Sequence, residues 1–533
     1  MTEAKYTSFN PSTGTPIGDV PLSNEAEINA AIERANEAFL LWKSVSIRDR
    51  LTYLQKAQDW LLENFEEVAK TIATEQGKPF TEALGVELIP ALDYMKFLRK
   101  NAKKILSEIK PEYHQPLFAH KKGRIIFEPI GTILSISPWN YPFVIPLIDI
   151  ASTVICGNTI VLKPALQTIF TAFKLKEMFE YADFPEGVIN ILAVSDSNAP
   201  LITQHKGIGK IIFTGSVETG KKIMASAAQN LTPVILELSG KDAAIVCNDA
   251  NLDRTVKGIV WGAFCNAGQT CVGIERVYVQ KEISEKFILS LIREVDTLKM
   301  GDPLDSDTDI GPMTQKEQIQ IVSGHLEDAV AKGAKVVCGG GNSVGDGSDL
   351  YFPPTVLINV DHSMLVMNEE TFGPLLPVMV VETVEEAIKL ANDSIYGLAA
   401  SGWTQSRKTA KKIQDGITAG QVTINDSVYG FGEPGAPWGG VKQSGFGKIH
   451  SRFGLTELVN MKFADFDPLK NPAQLWWYPY NKELKNFYRK VTLALYSSNL
   501  GTKLRSILSL MMFRRFWERI SLASLLLRIK KLF

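Results

Sequence analysis

The chain has 533 residues, 45% of them hydrophobic, with 40 glycines and 26 prolines. That length calls for two or three cores rather than one, and the composition excludes fibrous and disordered proteins. The net charge of -1 gives no general attraction to nucleic acid, but it hides an asymmetry. Residues 471–533 hold twelve Lys/Arg and two Asp/Glu, net +10; residues 1–470 hold 45 and 56, net -11. The five cysteines form no CxxC pair and no cluster with histidine, so no metal site is expected. Free thiols and a polar start, Met1 to Asn10, point to a reducing, cytoplasmic setting without a signal peptide. No uncharged apolar run reaches ~18 residues, so no ordinary transmembrane helix is expected.

Asn24 to Trp42 reads as an amphipathic helix with Ile28, Ile32, Ala35, Phe39 and Trp42 on one face. Ile47 to Glu75 continues in helical style, and Arg124 to Ile136, rich in Ile, reads as strand. Short apolar runs then alternate with helices: Thr159–Leu162, Val188–Leu192, Lys210–Phe213, Val234–Leu238 and Ala243–Val246, with helices near Ile169–Tyr181 and Thr219–Gln229. Near-continuous hydrophobicity suits strands buried on both faces of a parallel sheet, and the alternation makes a doubly wound α/β fold. A second series has strands at Arg276–Gln280, Leu376–Val381, Ala399–Trp403 and Gln421–Asn425.

Three segments carry chemistry. Cys271 ends Cys265-Asn266-Ala267-Gly268-Gln269-Thr270-Cys271, a small, polar setting suited to a turn. A reactive thiolate needs partial exposure and nearby positive potential, whereas Cys156, Cys247 and Cys338 sit in apolar or glycine-rich surroundings and read as structural. Glu237 stands at the end of the apolar run Val234-Ile235-Leu236, where desolvation raises its proton affinity toward that of a general base; the alternative is a structural pair with Lys241. Phe213-Thr214-Gly215-Ser216-Val217-Glu218-Thr219-Gly220 reads as strand, glycine turn and helix start, which presents backbone N–H groups to a phosphate. Gly207-Ile208-Gly209 upstream reads as a plain turn.

Together with Pro138-Trp139-Asn140, Lys163-Pro164, Leu236–Lys241, Gly268–Cys271, Glu370-Thr371-Phe372-Gly373-Pro374 and Pro437–Gly445, these segments resemble the aldehyde dehydrogenase superfamily from about Phe9 to Lys462. Seven motifs stand in the family's order, and the 34-residue separation of Glu237 from Cys271 matches too. The resemblance implies aldehyde oxidation with NAD or NADP. Cys271 would be the nucleophile, Asn140 the oxyanion donor and Glu237 the base that activates water against a thioester. Pro138, Trp139, Lys163, Gly215, Ser216, Gly220, Glu370 and Phe372 would hold the cofactor: Lys163 at the adenosine ribose, Ser216 at the pyrophosphate, Glu370 at the nicotinamide ribose. Leu166 stands where NAD-preferring relatives often carry Glu, so either cofactor is open. A relative that passes the thioester to coenzyme A would use the same Cys but typically lacks the base. A non-catalytic membrane-bound scaffold would have no need of Cys271, Glu237 and Asn140 together.

The implied architecture is two doubly wound α/β domains, a small β oligomerisation arm and a C-terminal helical tail. Residues 1–236 would bind cofactor and include an arm segment near 110–128. Residues 237–430 would form the catalytic domain, 431–470 a return and second arm segment, and 471–533 the basic tail. A homodimer or homotetramer is expected. In the tail, Leu504, Ile507, Leu508, Met511 and Met512 share one helical face, as do Leu522, Leu525, Leu526, Ile529 and Leu532, with Arg514, Arg515 and Arg519 between. Trp476, Trp477, Tyr478 and Tyr480 precede them. This predicts peripheral attachment to a membrane interface; the competing reading is docking on the acidic body or a second subunit.

Overall fold

The computed structural model describes residues 4–114, 118, 120–341, 349–468, 474 and 477–512. The tail positions 513–533, and Trp476, lie outside the described residues. The chain divides into two compact units: residues 1–106 with 128–460, and residues 107–127 with 461–533.

The first unit holds two large sheets. One has six strands in the spatial order Gly445–Phe446, Val234–Glu237, Ile208–Thr214, Thr132–Ile136, Thr159–Lys163, Ile189–Ile191; all pairs are parallel except the one made by Gly445–Phe446. The other has seven strands in the order Lys335–Cys338, Thr355–Ile358, Leu375–Val381, Ile274–Gln280, Asp242–Val246, Ala399–Trp403, Gln421–Ile424, again parallel apart from the Lys335–Cys338 edge. The central strands Thr132–Ile136, Thr159–Lys163 and Asp242–Val246 are buried at every residue, which is why their sequences do not alternate. The helix Glu25–Trp42 starts at a capping box, Asn24 accepting from Glu27 N and Glu27 from Asn24 N, and buries Ile28, Ile32, Ala35 and Trp42. The helix Val144–Ile155 is buried on all sides.

Two sequence expectations need correction. Arg124–Ile136 is two strands in different sheets, Lys122–Pro129 and Thr132–Ile136. The break falls at Ile130-Gly131, whose two N–H groups both donate to Asn158 Oδ1 at 2.6 and 3.1 Å, and Gly131 adopts φ 143°. The helical stretch Ile47–Glu75 is helix as read, in two pieces, Ile47–Glu63 and Phe65–Gln76, separated at Asn64, whose side chain donates back to Trp60 O. Ile208 and Gly209 are not in a turn but open the strand Ile208–Thr214, since Ile208 is buried opposite Thr132.

In the second unit, Lys122–Pro129 pairs with Val459–Phe466 to form a two-stranded sheet. The helices Lys482–Tyr496 and Leu500–Met511 follow, capped by Asn481 and Asn499, and pack on each other. Among the described residues no helix is long and apolar enough to cross a membrane.

The return strand Gly445–Phe446 depends on one glycine. Gly445 has φ 112°, and a Cβ there would collide with the Leu236 carbonyl, one residue before Glu237. Gly445→Ala should therefore cost about 3 kcal/mol in stability, read from the urea midpoint at unchanged m value.

Candidate active site

Cys271 lies at the meeting of two cavities. One, of about 20 Å³, is shared with Glu237, Thr214, Leu238 and Trp438; the other, of about 360 Å³, opens from Cys271 past Tyr141, Val272 and Phe431. The thiol is partly exposed, as expected of a nucleophile. It is carried by a loop with three successive residues of positive φ: Asn266 at 55°, Ala267 at 53° and Gly268 at 75°. A side chain at Gly268 would run into Gly373, so glycine is needed there for close passage. The non-glycine positions are held by hydrogen bonds. Asn266 N donates to Glu82 Oε2 at 2.8 Å, the Asn266 side-chain amide to Asn140 O and Gln269 O at 3.0 and 3.1 Å, and Gln269 Nε2 to Asn266 O at 3.0 Å.

The expected positive potential is not what surrounds the thiol. Burial pushes its proton affinity well up, and the neighbouring Asp242, Glu370 and Glu237 carboxylates push the same way. Cys265, six residues upstream, is buried against Thr270 Oγ1 at 3.5 Å and pushed up to about 12, chiefly by desolvation.

Asn140 and Cys271 are linked through the same loop. Asn140 Nδ2 donates to Gln269 O at 3.0 Å with one of its two hydrogens. The Asn140 carbonyl is anchored by Lys78 Nζ at 2.9 Å. Lys78 is itself fully buried and paired with Glu87 Oε1 at 2.7 Å, while Glu87 Oε2 accepts from Phe143 N and Val144 N at the start of the buried helix.

Glu237 is 3% exposed at the last residue of its strand, and neither carboxylate oxygen has a hydrogen-bond partner. Desolvation holds its carboxyl well above the usual range. Lys448 opposes this and buried Asp149 adds to it; the Trp438 indole and Gly440 amide help the charged form less, since neither reaches hydrogen-bond geometry. Glu237 and Lys448 flank Gly439: a Cβ there would lie 2.9 Å from Glu237 Oε1 and 3.0 Å from Lys448 Nζ. Asp149 accepts from Ser135 Oγ at 2.7 Å and is raised to about 7 by burial. The structural pairing of Glu237 with Lys241 does not form, because Lys241 bonds Glu275 Oε2 at 2.5 Å.

The residues expected to hold a cofactor cluster at the carboxyl ends of the six-stranded sheet, where open α/β sheets bind ligands. Pro138 and Trp139 follow the strand ending at Ile136. Lys163 ends its strand with Nζ 2.8 Å from the exposed Asp196 carboxylate, a partner that a ligand can displace. Gly215 N donates to Glu237 O, and Ser216 caps the helix Val217–Ala227 by accepting from Thr219 N. Gly220 packs under Leu238, where a Cβ would meet Cδ2 at 2.7 Å. Glu370 accepts from Gly240 N at 2.9 Å and is raised to about 7 by burial and Glu275. Phe372 has φ 50° and meets Trp139 edge-on at 5.5 Å; its backbone and that of Thr371 donate to Glu275. A helix N-terminus, a displaceable ammonium and a carboxylate suit the phosphates and ribose hydroxyls of a dinucleotide. Leu166 packs with Val20, Ile169 and Ala172 instead of presenting a polar group. Sequence reasoning missed Lys78, Glu87, Glu82 and Glu275. Their only signal is charge inside otherwise buried segments.

The Aldehyde dehydrogenase family model matches residues 1–464. A 4,4'-diapolycopene aldehyde oxidase of Methylomonas sp is 37% identical over 475 residues, covering 89% of this chain and 88% of that protein. A probable succinate-semialdehyde dehydrogenase [NADP(+)] of Sinorhizobium fredii is 36% identical over 465 residues, covering 86% and 92%. The NAD+ complex structure of an aldehyde dehydrogenase from Bacillus cereus superposes with a TM-score of 0.83 at 31% identity, covering 87% and 94%. The chain therefore belongs to the aldehyde dehydrogenase family and is an enzyme that oxidises aldehydes.

The buried Lys78 is the residue on which the Asn140 loop rests. Lys78→Met leaves Glu87 uncompensated and should cost about 3–5 kcal/mol, measured by denaturant unfolding. The double variant Lys78→Met/Glu87→Met should recover part of that loss.

Proposed function

We propose that this enzyme oxidises long, apolar aldehydes to carboxylic acids, using NAD or NADP, through a thioester on Cys271. The observation that carries the substrate class is the 360 Å³ cavity reached from Cys271. It is lined by Val86, Ile89, Ile145, Trp261, Tyr429 and Phe431 among others, and no Lys or Arg lines it among the described residues. Ile89, Trp261 and Tyr429 carry this apolar lining out to solvent. The charged residues that do line it are Asp93 and Glu433. The far carboxylate of succinate semialdehyde would be desolvated there beside two acids and no cation, which is costly. The relative named for 4,4'-diapolycopene aldehyde suits this reading better than the semialdehyde enzymes do.

The roles follow from the site. The Cys271 thiol loses its proton to solvent through the open cavity, and Sγ then bonds the aldehyde carbon as the C=O π bond breaks; the second Asn140 amide hydrogen and the Cys271 N–H are the donors for the resulting alkoxide. A nicotinamide dinucleotide, when bound, would supply the hydride acceptor. Pro138, Trp139, Lys163, Gly215, Ser216, Gly220, Glu370 and Phe372 would hold it. Glu237, unpaired and facing the small cavity shared with Cys271, takes a proton from the water that cleaves the thioester. A homodimer or homotetramer would use the strand Val459–Phe466, whose Met461, Phe463 and Phe466 are exposed. Residues 471–533 would bring the enzyme to the cytoplasmic face of a membrane, where apolar aldehydes partition.

Five measurements test this. Cys271→Ala should lower turnover at least ~10³-fold while Cys265→Ala keeps most of it. Glu237→Gln should retain a burst of reduced cofactor and then stall, and a burst slowed as much as the steady state would contradict the division of labour. Because a base works ionised and burial raises the Glu237 proton affinity, thioester hydrolysis should climb with pH through a midpoint above the ordinary carboxylate range; Glu237→Gln should flatten that limb. Octanal should exceed succinate semialdehyde at least ~tenfold in kcat/KM, and NADP should serve within about tenfold of NAD, since Leu166 cannot repel a 2′-phosphate.

A further inference from the structure

The second tail helix, Leu500–Met511, is turned inside out for a helix in water. It packs on the first tail helix, Lys482–Tyr496, which buries Leu484, Phe487 and Ala494. Among its described side chains the one that the second helix buries is Ser506, 6% exposed, with Leu510 half-buried. Its apolar side chains stand outward: Leu504 is 53% and Leu508 65% exposed, with Leu500, Ile507 and Met512 exposed beside them. The spacing 500, 504, 507, 508 and 512 places them along one stripe. A helix that hides serine and shows leucine has its partner on the outer side.

We propose that this outer face of Leu500–Met511 docks on an anionic lipid bilayer, lying in the headgroup plane. The proposal deepens the reading that apolar aldehydes are the substrates and rests on it for its purpose, though not for its geometry. Charge selects the occupant. Residues 477–512 contain Lys482, Lys485, Arg489, Lys490, Lys503 and Arg505 against the single acid Glu483. A second copy of the same face would set base against base. Residues 513–533 carry six Lys/Arg and one Asp/Glu, so they too are repelled from this stripe. An anionic bilayer offers both an apolar layer for the leucines and phosphate for the cations. Trp477, Tyr478 and Tyr480, all exposed just before the first tail helix, are side chains that settle at headgroup depth.

The test uses the full-length enzyme floated with vesicles of phosphatidylcholine alone or mixed with phosphatidylglycerol. Binding is expected only to the mixed vesicles and should fall as salt rises. Leu504→Glu/Leu508→Glu, at exposed positions that do not disturb the fold, should reduce the bound fraction at least ~tenfold, with turnover of soluble hexanal unchanged. Lys503→Gln/Arg505→Gln should reduce binding to the mixed vesicles and make what remains less sensitive to salt. Full-length enzyme that does not float, or a leucine variant that floats as well as the natural protein, overturns the proposal. So does a change in oligomeric state of the leucine variant in gel filtration, which would make the occupant a second copy. Vesicle binding with no octanal oxidation would leave the docking standing and remove the substrate reading.

Discussion

Two consecutive non-glycine residues, Asn266 and Ala267, sit in the left-handed backbone region, at a cost of about 1–3 kcal/mol each. The nucleophile stands a few residues further on, so its position is only as good as the contacts that hold this strain. Those contacts are buried or half-buried: Glu82 on the Asn266 N–H, the Asn266 amide on Asn140 O and Gln269 O, and Lys78 on Asn140 O. They bind the thiol loop and the oxyanion donor into one network. Lys78 extends that network through Glu87 to the first N–H groups of the helix Val144–Ile155. The Cys271 loop and the Asn140 side chain are thus positioned by the fold itself.

Electrostatically the site is weighted toward acid. Glu237, Asp149, Asp242 and Glu370 all have raised proton affinities because burial penalises their charge. Lys241 is committed to Glu275, and Lys448, which donates to Gly439 O, is the cation facing the base. This arrangement keeps the thiol protonated and leaves Glu237 poised above ordinary carboxylates.

Much of this was legible in the chain. The parallel strands announced themselves as unbroken apolar runs, and Ala399–Trp403 and Ile169–Tyr181 have the bounds that periodicity assigns. Asn140, Glu237 and Cys271 stood out because chemistry restricts which residue types can serve, and their motifs are contiguous in sequence. The elements that were misread share one cause. Arg124–Ile136 is uniformly strand-like, and its break depends on Asn158, 27 residues beyond Gly131. Gly207-Ile208-Gly209 has turn composition, but pairing with Thr132 draws Ile208 into the sheet.

The sequence by itself determined the fold class and the family and singled out Cys271, Glu237 and Asn140 as candidates, since these rest on local pattern and on motifs read in order. Only the tertiary structure decided which charges pair, that Lys241 serves Glu275 and leaves Glu237 bare, and that Lys78 supports the oxyanion donor from 62 residues away. It also decided that the thiol has acids for neighbours and that an apolar cavity without a cation opens from it. Ion pairs, burial and cavities are properties of distance in space, and sequence separation does not encode distance until the chain is packed.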